Sequence, residues 1–221
     1  MALRQAVDWS LYVVTDAGLS RGRSHVAVIE AAITGGATVV QYREKHAPTR
    51  QMVAEAQVLR ELTRRTGVPL IVNDRLDVAL AVDADGVHLG QDDMPAALAR
   101  RLIGPDKILG ISASTLAEAL QAVQDGADYL GVGPIFATPT KPDAAPPIGV
   151  DGLRLIRQHV SLPIVAIGGI NATNAAEVMA AGPDGIAVVS AVVAAEDIAV
   201  AAHELRAMVN ASRQRREAAS D

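Results

Sequence analysis

Ala37-Thr38-Val39-Val40-Gln41-Tyr42-Arg43-Glu44-Lys45 starts as a β-branched apolar run and ends in an amide and two cations. A run of this kind, bounded by polar residues, reads as a buried strand of a parallel sheet. The same change recurs along the chain. Leu70-Ile71-Val72 leads into Asn73-Asp74, Gly86-Val87 into His88-Leu89-Gly90-Gln91-Asp92-Asp93, and Ile108-Leu109-Gly110-Ile111 into Ser112. Ile164-Val165-Ala166-Ile167 leads into Gly168-Gly169, and Ile186-Ala187-Val188-Val189 into Ser190. Chemistry therefore collects at one end of the strands.

Eight candidate strands fall near residues 11–16, 37–43, 69–73, 86–89, 107–112, 128–133, 163–168 and 185–190, separated by segments richer in Ala, Glu and Arg. Strands alternating with helical segments predict βα units, and eight of them predict a closed, single-domain α/β barrel over residues 1–221. Met52, Ala56, Leu59 and Leu62 recur at helical spacing and predict one buried helix face. Thr115 to Glu118 reads as a capping box, Asn171 or Thr173 as the cap of the helix after the seventh strand, and Asp92 as the cap of the helix that Pro95 begins. Gly126-Ala127-Asp128 and Gly182-Pro183-Asp184-Gly185 end helices and feed the next strands. From about residue 212 the apolar period is lost, which predicts a frayed helix end.

Composition narrows the function. Half of the 221 residues are hydrophobic but only 2% are aromatic, so the core is built from aliphatic side chains, as inside a parallel barrel. A formal net charge of −5 gives no overall attraction for nucleic acid or an anionic membrane, so an anionic ligand has to be held by locally placed cations. The absence of Cys excludes disulfides, thiolate nucleophiles and cysteine-ligated zinc, and it suits a cytoplasmic protein. The first ten residues lack a basic segment followed by an apolar stretch, and no apolar run reaches the roughly 18 residues of a membrane span. These features predict a soluble protein.

Gln41, Arg43 and Lys45 alternate, so they point one way while Tyr42 and Glu44 point the other. Arg grips phosphate with a planar fork and Lys adds a point charge, a combination suited to a diphosphate; the alternative is a solvated strand end. Asp74 and Asp93 each follow a strand, where a carboxylate pair could hold Mg²⁺ or each could cap a helix. Asn73 either bonds a ligand or ties off its own turn, and a lone His88 at a strand end is more often structural than catalytic. Gly168-Gly169 and Ser190 end the seventh and eighth strands, where barrels bind phosphate with backbone N–H groups and hydroxyls. Gly131-Val132-Gly133 opens like a dinucleotide fingerprint but runs at once into Pro134, so that reading is rejected. Pro134 to Gly149 holds five of the 11 prolines without a regular period. With two hydroxyls and an ammonium in Thr138-Pro139-Thr140-Lys141, it is read as an active-site lid rather than a disordered insert.

Taken in order, Gln41 to Lys45, Val72 to Arg75, His88 to Asp93, Gly133 to Lys141, Ile167 to Ile170 and Val188 to Ala191 resemble the thiamine-phosphate synthase family over almost the whole chain. The resemblance implies a TIM barrel that joins 4-amino-2-methyl-5-hydroxymethylpyrimidine diphosphate to thiazole phosphate, releasing pyrophosphate and forming thiamine phosphate. It implies Gln41, Arg43, Lys45, Asn73 and Lys141 on the pyrimidine diphosphate, Asp74 and Asp93 on Mg²⁺, and Ser112 beside the pyrimidine. Thr138, Thr140, the Gly169 backbone and the Val189-Ser190 turn would meet the thiazole phosphate. Arg43, Lys45, Ser112 and Lys141 would carry catalysis, and the partners would be these two small molecules. One rival is a related thiazole tautomerase, in which a histidine stands at the Ser112 position. The other is a silent phosphate-binding or regulatory barrel.

Overall fold

The computed structural model describes residues 7–138, 140 and 145–218. Its centre is a closed barrel of eight parallel strands, each hydrogen-bonded to its sequence neighbours and the eighth to the first. The strands are β1 (Leu11–Val14), β2 (Val39–Tyr42), β3 (Leu70–Asn73), β4 (Gly86–Leu89), β5 (Ile108–Ala113), β6 (Tyr129–Val132), β7 (Ile164–Ile167) and β8 (Gly185–Val188). Helices α1 (His25–Thr34), α2 (Thr49–Thr66), α3 (Leu76–Ala81), α4 (Ala96–Ile103), α5 (Leu116–Gln124), α6 (Gly149–His159) and α7 (Ala175–Ala180) connect them. The short α8 (Ser190–Val193) and the long α9 (Ile198–Ala218) follow β8. All eight expected strands are present. Most are shorter than expected, losing residues at one or both ends.

Alternation divides the core. Tyr12, Val14, Val39, Ile71, Ile108, Tyr129, Val165 and Ala187 pack together with Trp9, whereas Leu11, Val13, Val40, Leu70, Leu109 and Leu130 belong to the larger cluster shared with the helices. Since successive strand residues face opposite sides, the first group fills the barrel and the second seals its outside. The α2 face Met52, Ala56, Leu59 and Leu62 is buried as its spacing predicts. Burying each such aliphatic side chain stabilises the fold by about 1.5–3 kcal/mol.

The start of the barrel is fastened by a recurring device. Asp85, Asp128 and Asp184 precede β4, β6 and β8, and each Oδ2 accepts an N–H from the preceding strand, at Leu70, Leu109 and Ile164, all at 2.8 Å. The same oxygens accept guanidinium N–H groups from Arg60 on α2 at 2.7 Å, Arg100 on α4 at 2.5 Å and Arg157 on α6 at 2.9 Å. At the fourth equivalent place Thr38 Oγ1 accepts from Leu11 N–H at 3.0 Å.

Several helix ends differ from expectation. Thr115 Oγ1 does accept from Glu118 N–H, but the Glu118 carboxylate reaches Ser114, taking its N–H at 2.6 Å and its hydroxyl at 2.9 Å. The box is displaced by one residue. Asp92 caps nothing, because α4 starts at Ala96 behind Pro95. Asn174 occupies the N-cap of α7 while Asn171 Oδ1 accepts from Thr173 in the turn ahead of it. Residues 212–218 continue α9, where Arg213 bonds Asp8 and Ser10 and Arg216 reaches the Pro183 carbonyl; the last three residues of the tail expected to fray lie outside the described residues. Among the described residues no helix is long and apolar enough to cross a membrane.

Candidate active site

The C-terminal strand ends enclose two adjoining cavities of about 210 and 340 Å³. Gln41, Arg43, Lys45, Asn73, Asp74, Asp93 and Ser112 line the first. Ser112, Thr138, Thr140, Gly169, Val189 and Ser190 line the second, and Ser112, Thr140 and Val189 belong to both. The expected site residues thus converge, with one exception of record: Lys141 lies outside the described residues.

In the first cavity Gln41 is buried and faces inward, while Tyr42 turns outward to donate its hydroxyl to Glu55 at 2.8 Å. Glu44 also points away, accepting from His46 N–H and Ala47 N–H and lying 3.2 Å from His25 Nε2. Burial opposes its ionisation, but these bonds outweigh burial and hold the Glu44 carboxyl below its ordinary range. That anchorage fixes the turn carrying Arg43 and Lys45. Arg43 Nη1 lies 2.6 Å from Asp16 Oδ2, and Lys45 Nζ lies 2.5 Å from Asp74 Oδ2. Sequence reasoning passed over Asp16, because an acidic residue in the loop after β1 carries no signal of an arginine 27 residues away.

Neither Asp74 nor Asp93 caps a helix. Arg75 stands at the N-cap of α3, and Asp74 adopts a left-handed backbone (φ 59°), a conformation Asp tolerates better than most residues. Asp93 Oδ2 accepts from Gly90 N–H at 2.7 Å. Burial raises the Asp93 carboxyl above its usual range; the Gly90 N–H opposes this, and the facing Asp74 carboxylate adds to the rise. Two carboxylates set against each other in a half-buried place form a donor pair suited to a hard dication. Among the described residues no group of three or more His, Cys, Asp or Glu gathers to hold a metal, so further ligands would come from water or phosphate.

The floor is a set of polar side chains that the sequence disclosed only in part. His88, read as structural, has Nδ1 2.8 Å from Tyr129 Oη and Nε2 2.9 Å from Ser112 Oγ. Tyr12 Oη lies 2.8 Å from Tyr129 Oη and accepts from Gln41 Nε2 at 2.8 Å. Burial pushes both phenols well above their ordinary range, so they stay neutral. Three of the five aromatic residues are tyrosines, and all three are fully buried. A polar-tipped aromatic at an inward strand position was the signal available.

The second cavity is shaped by Gly168 and Gly169, both at positive φ (102° and 67°). A Cβ on Gly168 would lie 2.5 Å from Pro134 Cβ, and one on Gly169 2.8 Å from Phe136 Cβ, so side chains are barred by conformation and by space. This close approach lets Ile135 N–H and Phe136 N–H bond the Ile167 and Gly168 carbonyls at 2.9 and 3.0 Å. The other side of the loop is tied by Ile148 N–H and Gly149 N–H to the Pro134 and Ile135 carbonyls. Its base is fixed, and Thr138 Oγ1 accepts from Thr140 N–H at 3.2 Å.

The sequence profile of the thiamine monophosphate synthase family matches residues 11–192. A thiamine-phosphate synthase of Chloroflexus aurantiacus is 77% identical over 215 residues, spanning 97% of this chain and 99% of that protein. One from Moorella thermoacetica is 57% identical over 206 residues, spanning 93% and 98%. The solved structure of thiamine phosphate pyrophosphorylase from Pyrococcus furiosus is 48% identical, with a TM-score of 0.87 over 95% of this chain and 98% of that one. Barrel, converging strand ends and full-length likeness agree, and the chain belongs to the thiamine monophosphate synthase family.

Proposed function

We propose that the protein joins 4-amino-2-methyl-5-hydroxymethylpyrimidine diphosphate to thiazole phosphate, forming thiamine phosphate and pyrophosphate. The observation that carries this reading is the pair of adjoining cavities that share Ser112, Thr140 and Val189. One is lined by cations and carboxylates, the other by glycine backbone and hydroxyls. A two-substrate condensation needs both; a tautomerase, which holds no diphosphate, has no use for Arg43 and Lys45 beside Gln41.

Gln41, Asn73 and Ser112 hold the pyrimidine, Arg43 and Lys45 face its diphosphate, and Lys141, outside the described residues, would bind it as well. Thr138, Thr140, the Gly169 backbone and the Val189-Ser190 turn hold the thiazole phosphate. Mg²⁺, held by Asp74 and Asp93 with phosphate oxygens and water completing its ligands, would neutralise charge on the departing pyrophosphate. On substrate binding, Arg43 and Lys45 exchange their carboxylate partners for phosphate oxygens, so the cations are already oriented before the ligand arrives. The aminopyrimidine ring feeds electrons to its exocyclic carbon as the C–O bond breaks, and the thiazole nitrogen attacks that carbon. No protein nucleophile takes part. The loop from Pro134 to Gly149 acts as a lid that keeps water from the cation.

The test mixes both substrates with and without Mg²⁺ and follows thiamine phosphate and pyrophosphate. Formation of both products only with the metal is expected. No product with Mg²⁺ present refutes the synthase reading, and isomerisation of a thiazole carboxylate phosphate alone transfers it to the tautomerase.

A further inference from the structure

Three members of the first cavity's floor have no part in the reaction just outlined: Tyr12, Tyr129 and His88. They nevertheless form one unbroken line, Gln41 to Tyr12 to Tyr129 to His88 to Ser112, in which every step is 2.8 or 2.9 Å. Five different strands contribute to it, and the barrel is shaped to admit it. A Cβ on Gly110 would lie 2.2 Å from Tyr129 Cζ, and one on Gly131 2.9 Å from His88 Cε1. Trp9 stacks on Tyr129 with ring centroids 4.3 Å apart.

The direction of the line follows from counting protons. Gln41 Nε2 donates to Tyr12 Oη, so the single Tyr12 proton is left for Tyr129 Oη. Were Tyr129 to donate back, a phenolic proton fully enclosed in the barrel would have no acceptor, a costly arrangement. Tyr129 therefore passes its own proton toward His88 Nδ1, which must offer a lone pair. His88 then carries its proton on Nε2 and donates to Ser112 Oγ, and the Ser112 proton is free to point into the cavity. At the other end, Gln41 turns its carbonyl oxygen to the ligand. Burial keeps both phenols protonated, as the count requires.

We propose that Tyr12, Tyr129 and His88 act together as a positioning relay that fixes Gln41 as an acceptor and Ser112 as a donor, and so selects a 4-aminopyrimidine over its 4-oxo counterpart. The amine edge presents a donor beside a ring-nitrogen acceptor, matching the two ends of the relay. The 4-oxo lactam presents an acceptor beside an N–H donor, so acceptor would meet acceptor and donor would meet donor. This inference rests on the first cavity being the pyrimidine site.

Two measurements test it. In the ligand-free wild-type protein, nitrogen chemical shifts of the His88 ring, identified by the signals lost in His88→Asn, should show Nε2 protonated and Nδ1 bare. Protonation at Nδ1 overturns the relay whatever the activity. In wild type the Kd of the 4-amino diphosphate should be lower than that of the 4-oxo diphosphate by more than about a hundredfold, as for sites that read hydrogen bonds. In Tyr129→Phe and, independently, Tyr12→Phe, that preference should fall by at least about tenfold while the Kd of thiazole phosphate stays within about twofold. A merely structural role would weaken both ligands together, and an unchanged preference overturns the proposal. Wild-type protein that forms no thiamine phosphate refutes the function instead, and the His88 tautomer still decides the direction of the line.

Discussion

Gly110→Ala should be among the most damaging single-methyl additions in this barrel, although Gly110 touches no substrate. The new Cβ would stand 2.2 Å from Tyr129 Cζ, 2.3 Å from Cε1 and 2.4 Å from Oη. Overpacking of a core costs about 1–3 kcal/mol when neighbours can yield. Here the ring is held by Trp9 and by hydrogen bonds to Tyr12 and His88. Displacing it strands at least one buried polar partner, at about 1–3 kcal/mol more. The sum, about 2–6 kcal/mol, is a large part of the 5–15 kcal/mol that separates folded from unfolded domains. Urea unfolding followed by circular dichroism measures it. The closest atoms are ring carbons, so Tyr129→Phe should not relieve the clash, whereas in a Tyr129→Leu background the added methyl should cost under about 1 kcal/mol. A loss below about 1 kcal/mol in the single variant, or equal losses in the Phe and Leu backgrounds, would refute the claim that Tyr129 is locked over Gly110.

Arg43→Ala should lower kcat/KM by about 30- to 1000-fold, from about 2–4 kcal/mol of lost transition-state stabilisation; a loss under about threefold in steady-state assays removes Arg43 from the chemistry. Asp128→Ala strips partners from the Arg100 guanidinium and the Leu109 N–H. It should cost about 2–4 kcal/mol in urea unfolding and leave kcat unaltered, because the pair lies at the face opposite the cavities. Burial alone would raise the Asp8 carboxyl, yet bonds from Arg206 and Ser10 bring it down to about 2. Because the folded value lies below the unfolded value of about 3.9, this stabilisation is full above pH ~4 and is lost as pH falls toward ~2. Asp8→Asn should therefore flatten the stability curve across that window, and an unchanged acid limb would count against the assignment.

Strand number, order and the convergence of chemistry were legible because each apolar run ends in a different polar signature, and a parallel barrel brings those ends together whatever their separation in sequence. Gln41, Asp74 and Asp93 could be placed on that basis alone. Caps were less legible. Asp92, Asn171 and Glu118 all have the right chemistry for the positions assigned to them, and which nearby N–H each one meets depends on where the chain turns, a matter of one residue. Asp16, Tyr12, Tyr129 and the role of His88 were not legible because their partners sit on other strands. Their meaning comes from register, such as Gly110 opposite Tyr129 and Ser112 opposite Gly131. Lost apolar spacing from residue 212 likewise carries no sign of the bonds that Arg213 makes to Asp8 and Ser10 and Arg216 makes to the Pro183 carbonyl, because those partners lie far away in sequence.

The three aspartate–arginine fasteners divide the molecule in a way the closed ladder hides. Arg60 with Asp85 and Arg100 with Asp128 are complete before Pro134, and Arg157 with Asp184 is complete after Gly149. None of them straddles the proline-rich segment at the mouth. A single peptide bond cut there would leave a five-and-a-half-unit piece and a two-and-a-half-unit piece, each with its own fasteners, still joined by the β6–β7 and β1–β8 seams. New ends placed between Phe136 and Ile148 would leave all three fasteners intact, and the bonds at the base of that segment would still tie both ends to the cylinder beneath.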